Sequence, residues 1–249
     1  MCHDGNGHTT LSDANGIVES NFEMAVQDAV MPVFQAGPSG PSRGQVIIIH
    51  DIYGANVFYH DLARRLAKAG FTTFLPNLFV RQGELPEQSR EAARARGGQL
   101  SYPQAMEDLG KLAERIEADG KIGVVGFCMG GTLVMHLASK EPRLSAGVIY
   151  YGFPANPNLS ANRPSEPLRE TSLMNMPLLG FWGDQDQGVG MDNVERLDRQ
   201  LESAGKDYEF HIYPGLGHGY LTFDESEPAF EKSVESWARA EAFFAERLA

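Results

Sequence analysis

Residues 121–138 demand a strand, a tight turn and a helix in immediate succession. Lys121-Ile122-Gly123-Val124-Val125 is an apolar, strand-like run. Gly126-Phe127-Cys128-Met129-Gly130-Gly131 follows, and Thr132-Leu133-Val134-Met135-His136-Leu137-Ala138 reads as a helix. Glycines at 126 and 130 leave room for a sharp turn where larger side chains would clash. The residue between them is lifted clear of the backbone at the start of the helix. That residue is Cys128, and a thiol at a helix N-terminus is readily ionised and nucleophilic.

The same alternation fills the rest of the chain. Gln45-Val46-Ile47-Ile48-Ile49-His50 is a continuous β-branched run, as expected of a parallel strand buried on both faces. Helical periodicity over 58–68 stops at Gly70, and Phe71–Leu75 is the next strand, ended by Pro76. Helices are expected over 87–96, 103–118, 129–140, 193–204 and 231–248, and strands over 121–127, 146–151, 178–182 and 208–213. A single early hairpin strand is expected over 24–35, and 154–175 is a proline- and asparagine-containing excursion. Strands alternating with helices imply right-handed crossovers and a doubly wound, mostly parallel α/β sheet. Residues 1–22 read as a polar N-terminal arm and 23–249 as one domain, a size that buries a substantial core.

Composition excludes several classes of partner. The formal net charge of −12 argues against nucleic acid and anionic membranes. No apolar run reaches membrane-spanning length, and residues 1–21 lack the apolar segment of a signal peptide. The two cysteines, Cys2 and Cys128, form no disulfide framework. These features point to a cytoplasmic enzyme acting on a small molecule. Cys2, His3, Asp4 and His8 are metal-ligating types without paired ligand spacing, so no metal is expected. No organic cofactor is expected either.

A nucleophile on such a turn needs a base and a group to orient that base. In open sheets such groups gather on loops beyond the carboxyl ends of strands. Gly183-Asp184-Gln185-Asp186-Gln187 follows one strand, and Pro214-Gly215-Leu216-Gly217-His218-Gly219-Tyr220 follows the next. Nucleophile, acid and histidine in that order match the α/β-hydrolase fold. His218 is the expected base. Asp186 is favoured over Asp184 as the acid because it lies further along the loop and can reach across to the histidine. The oxyanion donors are expected at the backbone N–H groups of Met129 and Ile52.

Five motifs in this order resemble the dienelactone hydrolase, or carboxymethylenebutenolidase, family: His50-Asp51-Ile52-Tyr53-Gly54, Leu78-Phe79-Val80-Arg81-Gln82, Gly126-Phe127-Cys128-Met129-Gly130-Gly131, Gly183-Asp184-Gln185-Asp186 and Gly217-His218-Gly219. The resemblance implies a Cys128–His218–Asp186 triad that opens a lactone or activated ester through an acyl-thioester. It places an acid, Asp51, beside the thiol, where a carboxylate favours the resting thiol over the thiolate. It makes Arg81 the clamp for a substrate carboxylate, since a guanidinium fork binds that group in two places. The best-known bacterial members carry a second arginine four residues after the histidine, where this chain has Thr222. Tyr53 belongs to the first motif and is assigned to the substrate cleft. Tyr151 follows a sheet strand and either walls the cleft or packs in the core. His136 and His211 read as packing residues, and His50 as a neighbour of the active-site loop.

Two other readings remain open from the residues. One is a biosynthetic ring-opening, cyclising or thioesterase-type enzyme on the same triad. The other is a non-catalytic ligand-binding or redox-sensing protein with Cys128 as its oxidisable thiol. Either a monomer or a homodimer fits the sequence.

Overall fold

The computed structural model of the protein describes residues 3–5 and 10–249. Cys2 and His8, considered above as metal-ligating types, lie outside the described residues. Eight strands form one sheet in the order β1-β2-β4-β3-β5-β6-β7-β8. The strands are β1 (Ile17–Val26), β2 (Ala29–Pro38), β3 (Gln45–Ile49), β4 (Thr72–Pro76), β5 (Ile122–Phe127), β6 (Leu144–Tyr150), β7 (Leu178–Gly183) and β8 (Tyr208–Tyr213). β1 pairs with β2, and β2 with β4, antiparallel; every later pair is parallel. The helices are α1 (Val57–Lys68), α2 (Arg90–Gln99), α3 (Tyr102–Ile116), α4 (Met129–Lys140), α5 (Met191–Ser203) and α6 (Phe230–Arg247). With the sequence-based expectation this is an α/β-hydrolase fold. Among the described residues no helix is long and apolar enough to cross a membrane.

The central strands explain themselves. Every residue of β3, β5 and β7 is buried, as a strand covered on both faces requires, and apart from Gln45 their sequences are accordingly apolar. α4 packs against β5 and β6, and Met129 through Ala138 are all buried. A helix this largely apolar belongs in the interior, and its buried His136 is satisfied by Glu170. Gly123 makes room for α6: a Cβ there would lie 2.6 Å from the Phe244 ring.

The N-terminal region differs from expectation. The single strand expected over 24–35 is two strands, joined by a turn at Gln27 and Asp28 with Gln27 at φ 20°. No glycine or proline marks that turn, so the alternating pattern runs through it unbroken. β1 begins at Ile17, inside the stretch read as an arm. Its first half is exposed (Val18 is 58% exposed) because it is an edge strand. α2 starts and ends three residues later than expected, since Ser89 is its N-cap and accepts a hydrogen bond from the Ala92 N–H.

Candidate active site

The parallel strands deliver four loops to one edge of the sheet, beyond their carboxyl ends. β3 delivers Asp51 and Ile52, β5 delivers Cys128, β7 delivers Asp186, and β8 delivers His218.

Cys128 sits at φ 55°, ψ −115°, a strained conformation for a residue with a Cβ. Close packing holds it there. A Cβ on Gly126 would come within 2.2 Å of the Gly130 carbonyl oxygen, and one on Gly130 within 2.2 Å of the Ile49 oxygen. No residue but glycine fits either position without displacing backbone. The Cys128 N–H donates to the Tyr150 carbonyl at 3.0 Å, tying the turn to the neighbouring strand. The side chain is buried, with the residue only 4% exposed. Met129 opens α4, so its N–H is one of the first-turn donors that have no acceptor within the helix.

His218 and Asp186 meet as expected. His218 Nδ1 lies 2.7 Å from Asp186 Oδ2. The other oxygen, Oδ1, accepts from the N–H groups of Gly188 and Val189 at 3.1 Å each. Asp186 is 2% exposed, so its carboxylate is fixed by three hydrogen bonds inside the protein. Asp184 instead turns outward and accepts from the Gly215 N–H at 2.7 Å, bracing the histidine loop.

Tyr151 joins the two halves. It is forced to φ 42° because the next residue, Gly152, is pressed against α4: a Cβ on Gly152 would lie 2.6 Å from the Gly131 carbonyl carbon. Thr132 Oγ1 accepts from the Phe153 N–H at 2.9 Å, and Trp182 Nε1 donates to the Gly152 carbonyl at 2.9 Å. So fixed, the Tyr151 ring packs edge-on to His218 with centroids 5.2 Å apart. Phe153 packs on the same imidazole at 5.3 Å.

The loop after β3 is held by His50, expected as its neighbour, and by Arg96, which sequence reasoning did not assign. His50 Nδ1 donates to the Asp51 carbonyl at 2.8 Å, and Nε2 accepts from the Leu78 N–H at 3.1 Å. These two bonds require the neutral ring, and burial holds its pKa down to about 4. Arg96 donates to the Ile52 carbonyl and to the Gly83 carbonyl, both at 3.2 Å, and lies over the Phe79 ring. Asp51 is fully buried. Its Oδ1 accepts from the Tyr53 N–H at 2.8 Å, and its Oδ2 from the His3 N–H at 2.6 Å.

A cleft of about 540 Å³ opens beside His218. Tyr53, Phe58, Thr222, Arg90 and His3 are among its walls. Arg81 is not. Its guanidinium bonds Asp108 at 2.6 and 3.3 Å and Asp28 at 2.7 Å. Arg90 lines the cleft instead, exposed at the first turn of α2. Sequence reasoning missed Arg90, although the Ser89 cap marks where its helix begins. It also missed His3, for which no periodicity or motif gave a signal. His136 is paired with the buried Glu170 at 2.7 Å, and His211 with Glu209 at 2.6 Å, both away from the cleft.

The dienelactone hydrolase family profile matches residues 31–248. Carboxymethylenebutenolidase from Rhodococcus opacus is 29% identical over 217 residues, covering 86% of this chain and 85% of that one. A Klebsiella pneumoniae structure described provisionally as a dienelactone hydrolase superposes with a TM-score of 0.85 at 26% identity, covering 93% of this chain and all of that one. The Pyrococcus horikoshii acylaminoacyl peptidase shares the fold, with a TM-score of 0.73 at 16% identity; the match covers 94% of this chain and 42% of that one. The motifs, the sheet order and the profile match agree: this chain belongs to the dienelactone hydrolase family.

Proposed function

We propose that the protein is a cysteine-dependent carboxylic ester hydrolase that opens a lactone or activated ester. The observation that carries this reading is a cysteine on a strained strand-to-helix turn, on the same sheet edge as a hydrogen-bonded His218–Asp186 pair. Cys128 sulfur attacks the carbonyl carbon while its proton passes to His218. Asp186 keeps the imidazole in the tautomer that presents Nε2 as the base and stabilises the charged ring. The N–H groups of Met129 and Ile52 receive the oxyanion. The C–O bond then breaks, His218 returns the proton to the departing oxygen, and a thioester remains. Water, deprotonated by His218, attacks the thioester; the acid leaves and the thiol is restored. The relative from Rhodococcus opacus is named for this class of lactone hydrolysis. Arg90 is the cleft cation suited to a substrate carboxylate, in place of Arg81.

Cys128→Ala is the direct test, measured as steady-state hydrolysis of unsaturated lactones and aryl esters. The variant is expected to lose at least about a thousandfold in kcat with the fold intact by circular dichroism. Activity within tenfold of the unsubstituted protein would sink the reading.

A further inference from the structure

A second cavity, of about 330 Å³, shares no lining residue with the cleft beside His218. It is enclosed by α3, α4, the start of α5 and the excursion after β6. The Phe153 ring, which packs on the His218 imidazole at 5.3 Å, is part of its wall. Among the described residues that line it there is no carboxylate, although the chain carries a net charge of −12. Arg163 is the one fixed charge among them. Its Nη2 donates to the Gly97 carbonyl at 2.7 Å, its Cζ lies 4.9 Å from the Tyr102 ring centre, and its buried Nε has no hydrogen-bond partner. Burial pushes the pKa of the Tyr102 phenol up to about 12, so that group stays neutral. His136 packs edge-on to the same ring at 6.0 Å. It is 3% exposed, and its Nδ1 is held by the Glu170 carboxylate at 2.7 Å. A carboxylate only accepts, so the proton sits on Nδ1, and in the neutral ring Nε2 is an acceptor. Among the described residues nothing bonds Nε2.

We infer that this second cavity binds a small aromatic hydroxycarboxylate, with its carboxylate on Arg163 and its hydroxyl donating to His136 Nε2. One fixed cation matches one negative charge, and the guanidinium fork suits a carboxylate. Arg163 keeps an unpartnered N–H and His136 an unpartnered acceptor. A ligand with an acceptor at one end and a donor at the other complements both. Guanidinium and imidazole flank one tyrosine ring, so a ligand one aromatic ring long reaches both. The walls between them include Tyr102, Phe153, Pro167 and Val189, which favour an aromatic body over a strongly hydrated ion. Gly188 and Val189, whose N–H groups hold Asp186, also line the cavity, so the occupant lies against the supports of the His218–Asp186 pair. The site stands whether or not Cys128 carries an acyl group.

The probe is 4-hydroxybenzoate, followed by titration calorimetry on the full chain, where saturable one-to-one binding is expected. Arg163→Gln is expected to weaken it about tenfold or more, the worth of one charged contact. The uncharged 4-hydroxybenzamide is expected to bind the unsubstituted protein as weakly as the acid binds that variant. Benzoate, which lacks the hydroxyl, is expected to bind about fivefold more weakly than the probe. Arg163 also ties the excursion to Gly97, so a second variant separates lost charge from a loosened segment. Ala155→Trp fills the cavity without touching that bond and is expected to abolish binding. Arg90→Ala, in the other cleft, is expected to leave binding of the probe unchanged. No binding by the unsubstituted protein, equal binding of acid and amide, full binding by Arg163→Gln or Ala155→Trp, or loss of binding in Arg90→Ala would overturn the inference.

Discussion

At the scale of single residues, one arginine changes the account of specificity. The motif containing Arg81 resembles the family, but the structure gives that guanidinium to two carboxylates, one of them the buried Asp108. Withdrawing it would leave Asp108 buried without its partner, a cost of several kcal/mol. Arg90 carries no such burden and already faces the cleft. For a lactone bearing a carboxylate, Arg90→Ala is expected to raise KM about tenfold, with no change for a neutral ester of the same acid, because one charged contact is worth about 1.4 kcal/mol or more. Equal effects on both substrates, in parallel steady-state assays, would remove Arg90 from that role. The motif pointed to Arg81, and what separates the two arginines is Asp108, distant in the chain. Cys128, Asp186 and His218 were legible for the opposite reason. Each lies on a loop beyond the carboxyl end of a parallel strand, so strand order brings all three to one edge.

At the scale of elements, the elbow helix and the excursion after β6 are fastened by one buried acid. Glu170 lies between two short 3-10 turns, and its carboxylate bonds His136 Nδ1 at 2.7 Å and Lys140 Nζ at 2.8 Å, both on α4. Burial works against ionisation of Glu170, but the hydrogen bonds from His136 and Lys140 outweigh it and hold the pKa at about 2. The folded value is below the unfolded one. The stability this charge contributes is therefore complete above about pH 4.5 and is lost as pH falls toward 2. Glu170→Ala is expected to cost about 3 kcal/mol at neutral pH and to flatten the stability profile between pH 4.5 and 2, measured by urea denaturation. A profile of unchanged slope would contradict this role. Elements with strong periodicity were legible in sequence: α4 and β8 match their expected bounds. The β1–β2 hairpin was not, because its turn at Gln27-Asp28 has neither glycine nor proline to mark it. The Glu170 strap was hidden too, since nothing local distinguishes a glutamate that will be buried from one that will be solvated.

At the scale of the whole molecule, the sheet and the N-terminal residues reach the cleft beside His218 by different routes. Central strands, buried on both faces, fix where the loops after β3, β5, β7 and β8 emerge, and so fix the site. That half of the design is written in apolar runs and glycine turns, the strongest signals a sequence carries. The arm is written in polar residues without periodicity, yet His3 reaches the Asp51 carboxylate and the Tyr151 hydroxyl. Its placement follows from the shape of an aromatic slot assembled by α1 and the loop after β6, which no local pattern encodes. Cys128, Asp186 and His218 thus emerge on loops from the sheet, whereas His3 reaches the cleft beside His218 from outside it. In the proposed reaction Cys128 carries the acyl group. Rapid-quench intact-mass spectrometry of His218→Asn with an aryl ester tests it most directly, because loss of the base slows hydrolysis of the thioester. A stoichiometric acyl adduct is expected, mapped to Cys128 and absent from Cys128→Ala; an adduct on any other residue, or turnover by Cys128→Ala at the unsubstituted rate, would rule out Cys128 as the nucleophile.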